Sequence, residues 1–153
     1  MSYTELQPGD IAPSWQLQTL EGEPAPSLES LMGKPVLILF WNLGCPGCKS
    51  RALPVTKQMR EIYPDLQVIG VHTHSDNSYS PRQVQEMQLL HKLDYPMYQD
   101  VEGGPTFEAF QAEGTPHWVL IDKDGKMLRS VWGSQEGQIQ RLDYLLREQF
   151  AGE

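Results

Sequence analysis

Six consecutive apolar residues, Val36-Leu-Ile-Leu-Phe-Trp41, run without polar alternation. A strand with one wet face alternates, so an uninterrupted run describes a strand covered on both sides, as in a sheet with parallel neighbours and helices on each face. Just beyond it stands Cys45-Pro46-Gly47-Cys48, and then Ala52, Val55, Met59 and Ile62 recur at helical spacing, with Pro64 past the end. A buried strand, a two-cysteine turn and a helix, in that order, limit the fold more than any other feature of the chain. Pro54, inside the helical pattern, predicts a kink.

The rest of the sequence continues the alternation of strand and helix that βαβ units produce. Leu66-Gln-Val-Ile-Gly-Val71 reads as a second buried strand, and a polar loop from Thr73 to Ser80 leads into a helix from Pro81 that carries Val84, Met87 and Leu90 inward. A short strand near Pro96-Met-Tyr-Gln99 follows, then a helix around Thr106 to Glu113 with Gly114 as its stop. Trp118 to Ile121 and Met127 to Trp132 flank Asp122-Lys-Asp-Gly125, whose Asp-Gly close predicts a β-hairpin. Gln135 to Phe150 is a closing helix with Ile139, Leu142, Leu146 and Phe150 on one face. Residues 1 to 35 read as an irregular lead-in, with a short strand around Trp15-Gln-Leu-Gln18 and a helical turn from Ser27 to Met32.

A length of 153 residues fits one domain, and 39% apolar against 21% charged residues leaves material for a substantial core. The formal charge of −8 repels phosphate backbones and anionic headgroups, so neither nucleic acid nor a membrane surface is an expected partner. No apolar run approaches the ~20 residues that span a bilayer. The opening Met1-Ser-Tyr-Thr-Glu-Leu-Gln-Pro-Gly-Asp lacks the basic, apolar, small-residue order of a secretory signal. A cytoplasmic location is the expectation, although a chain trimmed of a leader would read the same.

Only two cysteines occur, with two residues between them. A structural staple removes more entropy by closing a longer loop, so the pair reads as chemical. Cys45 falls where a helix begins, beside unpaired N–H groups and the positive end of the helix dipole, which favour a thiolate and make it the nucleophile. Cys48, one turn on, is the resolving thiol that attacks the mixed disulfide. Pro46 suits a first helical turn, and Gly47 adds no side chain to shield the sulfur. A zinc half-site and two inert buried thiols are the competing readings; zinc needs further ligands, and the candidates are His72 and His74, two apart on one strand face. A polar strand end is the plainer account of those histidines, and no metal is expected. Glu102-Gly-Gly104 lacks the lysine and spacing of a phosphate loop. Trp41, Trp118 and Trp132 are packing aromatics, with Trp41 also placed to border the redox site.

The order of elements resembles the thioredoxin superfamily, in particular its TlpA-like, redoxin and thiol-specific-antioxidant (AhpC/TSA) branch, over nearly the whole chain. Phe40-Trp-Asn-Leu-Gly-Cys-Pro-Gly-Cys48 is similar to the family's Phe-Trp-Ala-x-Trp-Cys-x-x-Cys, Pro8-Gly-Asp-Ile-Ala-Pro13 to its start, and Gly114-Thr-Pro-His-Trp-Val-Leu-Ile-Asp122 to its Gly-x-Pro-x-x-x-Leu-Ile-Asp segment. The resemblance implies a thioredoxin-like α/β fold: a central mixed sheet flanked by helices, an insertion over about 80–113, and a C-terminal hairpin plus helix. It implies a cis peptide before Pro116, with the backbone of Thr115 pairing with substrate, and Trp41 and Gly44 at the substrate site. The cofactor is then none beyond a redox-active Cys45–Cys48 disulfide. The partners are protein or small-molecule disulfides and thiols, with an unidentified electron donor.

Four departures from the pattern bear on function. Gly44 stands where a tryptophan usually precedes the first cysteine, which bares that side of the site. Leu39 replaces the buried aspartate that helps deprotonate the resolving cysteine. Pro54 comes one residue later than usual, so no role carries over to Lys49 to Arg51. His117 follows the proline and offers an imidazole as proton acceptor for Cys48. The leading reading is a thiol-disulfide oxidoreductase in redox homeostasis. A thiol-dependent peroxidase is disfavoured, because Ile38 and Asn42 occupy the Pro and Thr positions of Pro-x-x-x-Thr-x-x-Cys. A binding module that uses its cysteines little is the third reading.

Overall fold

The computed structural model describes residues 5–73 and 79–151. Among these, strands β1 (Leu17–Thr19), β2 (Val36–Trp41), β3 (Gln67–His72), β4 (Met97–Asp100), β5 (His117–Ile121) and β6 (Met127–Trp132) form one sheet in the order β1-β4-β3-β2-β5-β6. β2 is parallel to β3, and β3 to β4, while β1, β5 and β6 join antiparallel. Every residue of β2 is buried, as its unbroken apolar run requires of a central strand.

The period of two along the strands divides the core into two layers. Leu37, Leu39 and Trp41 of β2, with Trp118 and Leu120 of β5, face helices α1 (Leu53–Ile62), α2 (Pro81–Leu90) and α4 (Glu136–Gln149) through Leu53, Met59, Val84, Leu142 and Leu146. Val36, Ile38 and Phe40, with Val119 and Ile121, face the other way, against Trp15, Leu17, Leu28 and Phe110. The N-terminal segment is therefore more than a lead-in: it adds edge strand β1 and three large side chains to the second layer. Each such side chain, fully buried, contributes on the order of 1.5–3 kcal/mol.

The helix after the cysteines is regular only from Leu53, because a wide π turn spans Cys48–Ala52 and closes with Leu53 N–H on the Cys48 carbonyl. Pro54 has no N–H for the Ser50 carbonyl and its ring would crowd that group, so the irregularity expected at the proline is taken up in the turn before it. Of the expected inward stripe, Ala52 and Met59 are buried and Val55 packs against the core, with Leu53 and Thr56 buried beside them, whereas Ile62, at the end of the helix, is exposed. Leu90, also expected inside, ends α2 in solvent, where Leu93 and Tyr95 close the core instead. Helix α3 (Pro105–Ala109) is shorter than expected. Its first turn is capped by the buried Asp100 carboxylate, which accepts from Thr106 and Phe107 N–H at 3.2 and 2.8 Å. It ends at Phe110, where Gln111 takes a left-handed φ of 57° and the Ala112 N–H returns to the Phe107 carbonyl at 3.1 Å.

Candidate active site

Strand β2 delivers the chain to the C-terminal edge of the sheet, and residues 42–48 turn it into the helix. Asn42, buried, holds the turn: its Oδ1 accepts the Gly44 N–H at 2.8 Å and its Nδ2 donates to the Thr73 carbonyl at 2.7 Å. His72 Nε2 accepts the Leu43 N–H at 3.2 Å. The polar strand end thus has a specific duty in fixing the cysteine turn. His74 lies outside the described residues, and among these no group of three His, Cys, Asp or Glu is placed to hold a metal.

Cys45 and Cys48 form a disulfide with their Cα atoms 5.3 Å apart. Cys45 is half-buried and Cys48 fully buried. The Cys48 N–H points to Cys45 Sγ at 3.2 Å, and the Thr115 carbonyl lies 3.5 Å from that sulfur. The Thr115–Pro116 peptide is cis. Thr115, Pro116, Gly44 and the two cysteines therefore meet at one place.

Two other expected site residues lie elsewhere. Trp41 is fully buried, with Nε1 directed at Met97 Sδ at 2.9 Å, so it lies beneath the site and cannot touch a substrate. His117 cannot take the Cys48 proton. In the antiparallel register Leu39 opposes Trp118 and Phe40 opposes His117, so Trp118 shares the Cys48 layer and the imidazole faces the other side of the sheet. There its Nδ1 accepts the Glu113 N–H at 3.3 Å, which leaves Nε2 protonated and hydrogen-bonded to Ser130 Oγ at 2.6 Å. Burial pushes its pKa down to about 4, so the ring is neutral near pH 7.

Other site features gave no local signal in the sequence because they join distant segments. Trp118 Nε1 donates to Thr56 Oγ1 at 2.9 Å, and that hydroxyl donates to the Ala52 carbonyl at 2.7 Å, tying the strand after the cis-proline to the π turn. Arg51 pairs with Glu136 at the start of α4. Ser134, after β6, packs so closely over the turn that a Cβ on Gly47 would fall 2.7 Å from its Oγ and 4.0 Å from Pro116 Cδ. Glycine at 47 thus keeps the turn in contact with the proline loop.

Comparison with known proteins agrees with this geometry. The chain is 34% identical over 102 residues to the thiol-disulfide oxidoreductase YkuV of Bacillus subtilis, covering 65% of this chain and 68% of that one. It is 29% identical over 144 residues to the thiol-disulfide oxidoreductase ResA of Bacillus cereus, covering 90% and 80%. The solved structure of the thioredoxin-like superfamily protein SPOA0173 superposes with a TM-score of 0.82 at 24% identity, covering 94% and 98%. Fold and site define a thiol-disulfide oxidoreductase of the thioredoxin superfamily, in its TlpA-like and redoxin branch. Within it the chain belongs to the AhpC/TSA family, whose model matches residues 8–130.

Proposed function

We propose that this protein reduces disulfides through Cys45 and Cys48, in the redox homeostasis of a reducing compartment such as the cytoplasm. The observation that carries the reading is the asymmetry of the pair: one sulfur is half-exposed beside backbone N–H and the cis-proline loop, and the other is buried behind it. In the dithiol form, the Cys45 thiolate attacks one sulfur of a substrate disulfide. A Cys45–substrate disulfide forms and the first substrate thiolate departs. Cys48, losing its proton, then attacks Cys45 Sγ, the second substrate thiolate leaves and takes up a proton, and the Cys45–Cys48 disulfide remains. Two electrons have passed to the substrate, and a dithiol donor returns the pair to its starting state.

The Thr115 backbone, beside Cys45, supports its pairing with a substrate chain. Peroxide reduction draws no support from the site, since Ile38 is buried in the second layer and Asn42 is engaged in holding the turn. The test is the reduction potential of the pair in glutathione buffers, followed by tryptophan fluorescence, with Cys45→Ser as control. A potential near about −270 mV is expected of a reductase. The absence of any two-electron transition would sink the reading in favour of a binding module.

A further inference from the structure

The cysteine turn has two flanks. On one, the Thr115 carbonyl, Pro116 and Ser134 crowd Cys45 and Gly47. On the other, Gly44 is exposed and has no side chain, yet the space over it is occupied. A Cβ built on Gly44 would stand 3.1 Å from the Tyr79 hydroxyl, 3.9 Å from Tyr79 Cε2 and 3.1 Å from Asn42 Oδ1. Asn42 cannot give way without losing its bonds to the Gly44 N–H and the Thr73 carbonyl. The absence of a side chain at 44 is what lets a tyrosine from the segment before α2 close over the residue next to the nucleophile.

Tyr79 is braced in that position. It is half-buried, meets the His72 ring edge-on at 5.9 Å and, like Cys45, packs against the apolar cluster that contains Cys48. His72 is itself fixed by the Leu43 N–H and by its edge-on contact with Trp41 at 5.0 Å. An aromatic ring held this way, at the rim of a site, offers flat apolar area at little further entropic cost, and its hydroxyl can bond to a peptide group.

We propose that Tyr79 is a specificity-determining residue: it forms the wall of the substrate site opposite Thr115-Pro116 and favours disulfides carried on an extended polypeptide over small-molecule disulfides. The inference rests on the thiol-disulfide reading above. A chain that pairs with the Thr115 backbone and places its sulfur on Cys45 has flanking residues long enough to cross the turn and lie against the tyrosine ring. A disulfide with only a few atoms on either side of its sulfurs reaches Cys45 without reaching that wall.

The experiment compares steady-state reduction of insulin disulfides and of bis(2-hydroxyethyl) disulfide by the full chain, with dithiothreitol as electron donor and its own rate subtracted. Tyr79→Ala is expected to raise KM for insulin about five-fold, the size of one lost aromatic contact, and to leave kcat and the small-disulfide KM within about two-fold. Tyr79→Phe, which keeps the ring, restores the insulin KM, and the reduction potential is the same in all three proteins. An unchanged insulin KM in Tyr79→Ala would overturn the proposal. So would an equal rise for both substrates or a shifted potential, either of which assigns Tyr79 to holding the cysteine turn. A wild-type protein that reduces neither substrate would instead strike the thiol-disulfide reading itself.

Discussion

Cys45 and Cys48 sit one helical turn apart in surroundings that differ as a surface differs from a core. Around Cys45 are the Cys48 N–H, which donates to its sulfur at 3.2 Å, and the beginning of a helix, so a negative sulfur there is met by the positive ends of backbone dipoles, whereas the Thr115 carbonyl at 3.5 Å can only accept from the thiol. Around Cys48 the layer is hydrocarbon and indole, with Leu39, Trp41, Leu53 and Trp118 among its members. A charge in such a layer is costly. The two steps of the reaction are thus unequally prepared: attack by Cys45 has a backbone donor on its sulfur, and release by Cys48 must form a thiolate in an apolar layer. The departing substrate thiolate is the base that the chemistry itself supplies.

The strongest way to break this comparison is to remove each sulfur in turn. Cys45→Ser should lower turnover by at least about 10³-fold, because Cys48, the other thiol of the chain, is fully buried. Cys48→Ser should still attack once and then accumulate a Cys45–substrate disulfide, visible as a mass increase equal to the substrate thiol. Accumulation in Cys45→Ser instead would reverse the roles of the two cysteines.

The next effect separates the two faces of β5. His117 has its folded pKa held down to about 4, against an ordinary value of 6.5. In the unfolded chain the ring takes up a proton near 6.5, while the folded protein refuses it until near 4. Stability is therefore full above about pH 6.5 and falls as the pH drops through that interval, by on the order of ~3 kcal/mol in all. His117→Gln, measured by urea unfolding across pH 4–7, should flatten this part of the profile, and its disulfide reduction at pH 7 should match wild type. Slow release of the mixed disulfide in that variant would bring the imidazole back into the Cys48 step.

Much of this site is written in short segments. The strand Val36–Trp41, the cysteine turn and the Asp122–Gly125 hairpin each declare themselves within about ten residues, because an apolar run, a helix start and an Asp-Gly close are local preferences. The cis-proline was legible through family resemblance alone. Which parity of β5 faces Cys48 was not legible. Alternation says only that His117 and Trp118 point opposite ways, and the pairing of Leu39 with Trp118 that decides between them joins residues far apart in sequence. The cap that ends α3 was missed for a different reason: Gly114 advertises a helix stop, whereas the structure places a glutamine, Gln111, in the left-handed conformation several residues earlier. Gly44 looked like a bare flank because the tyrosine that covers it arrives from another element.

The smallest effect probes which helix face encloses Cys48. If Ala52, Val55, Met59 and Ile62 formed the inward stripe, Ile62→Glu would bury a charge and unfold much of the protein. Ala52, Leu53, Thr56 and Met59 are inward and Val55 packs against their layer, but the stripe stops short of Ile62, which is left at 64% exposure. Ile62→Glu should therefore change stability by no more than about 0.5 kcal/mol, as surface substitutions do, and leave the reduction potential where it was. A loss of several kcal/mol would mean that the inward stripe runs on to Ile62, and that the helix lies on the apolar layer around Cys48 by a different face.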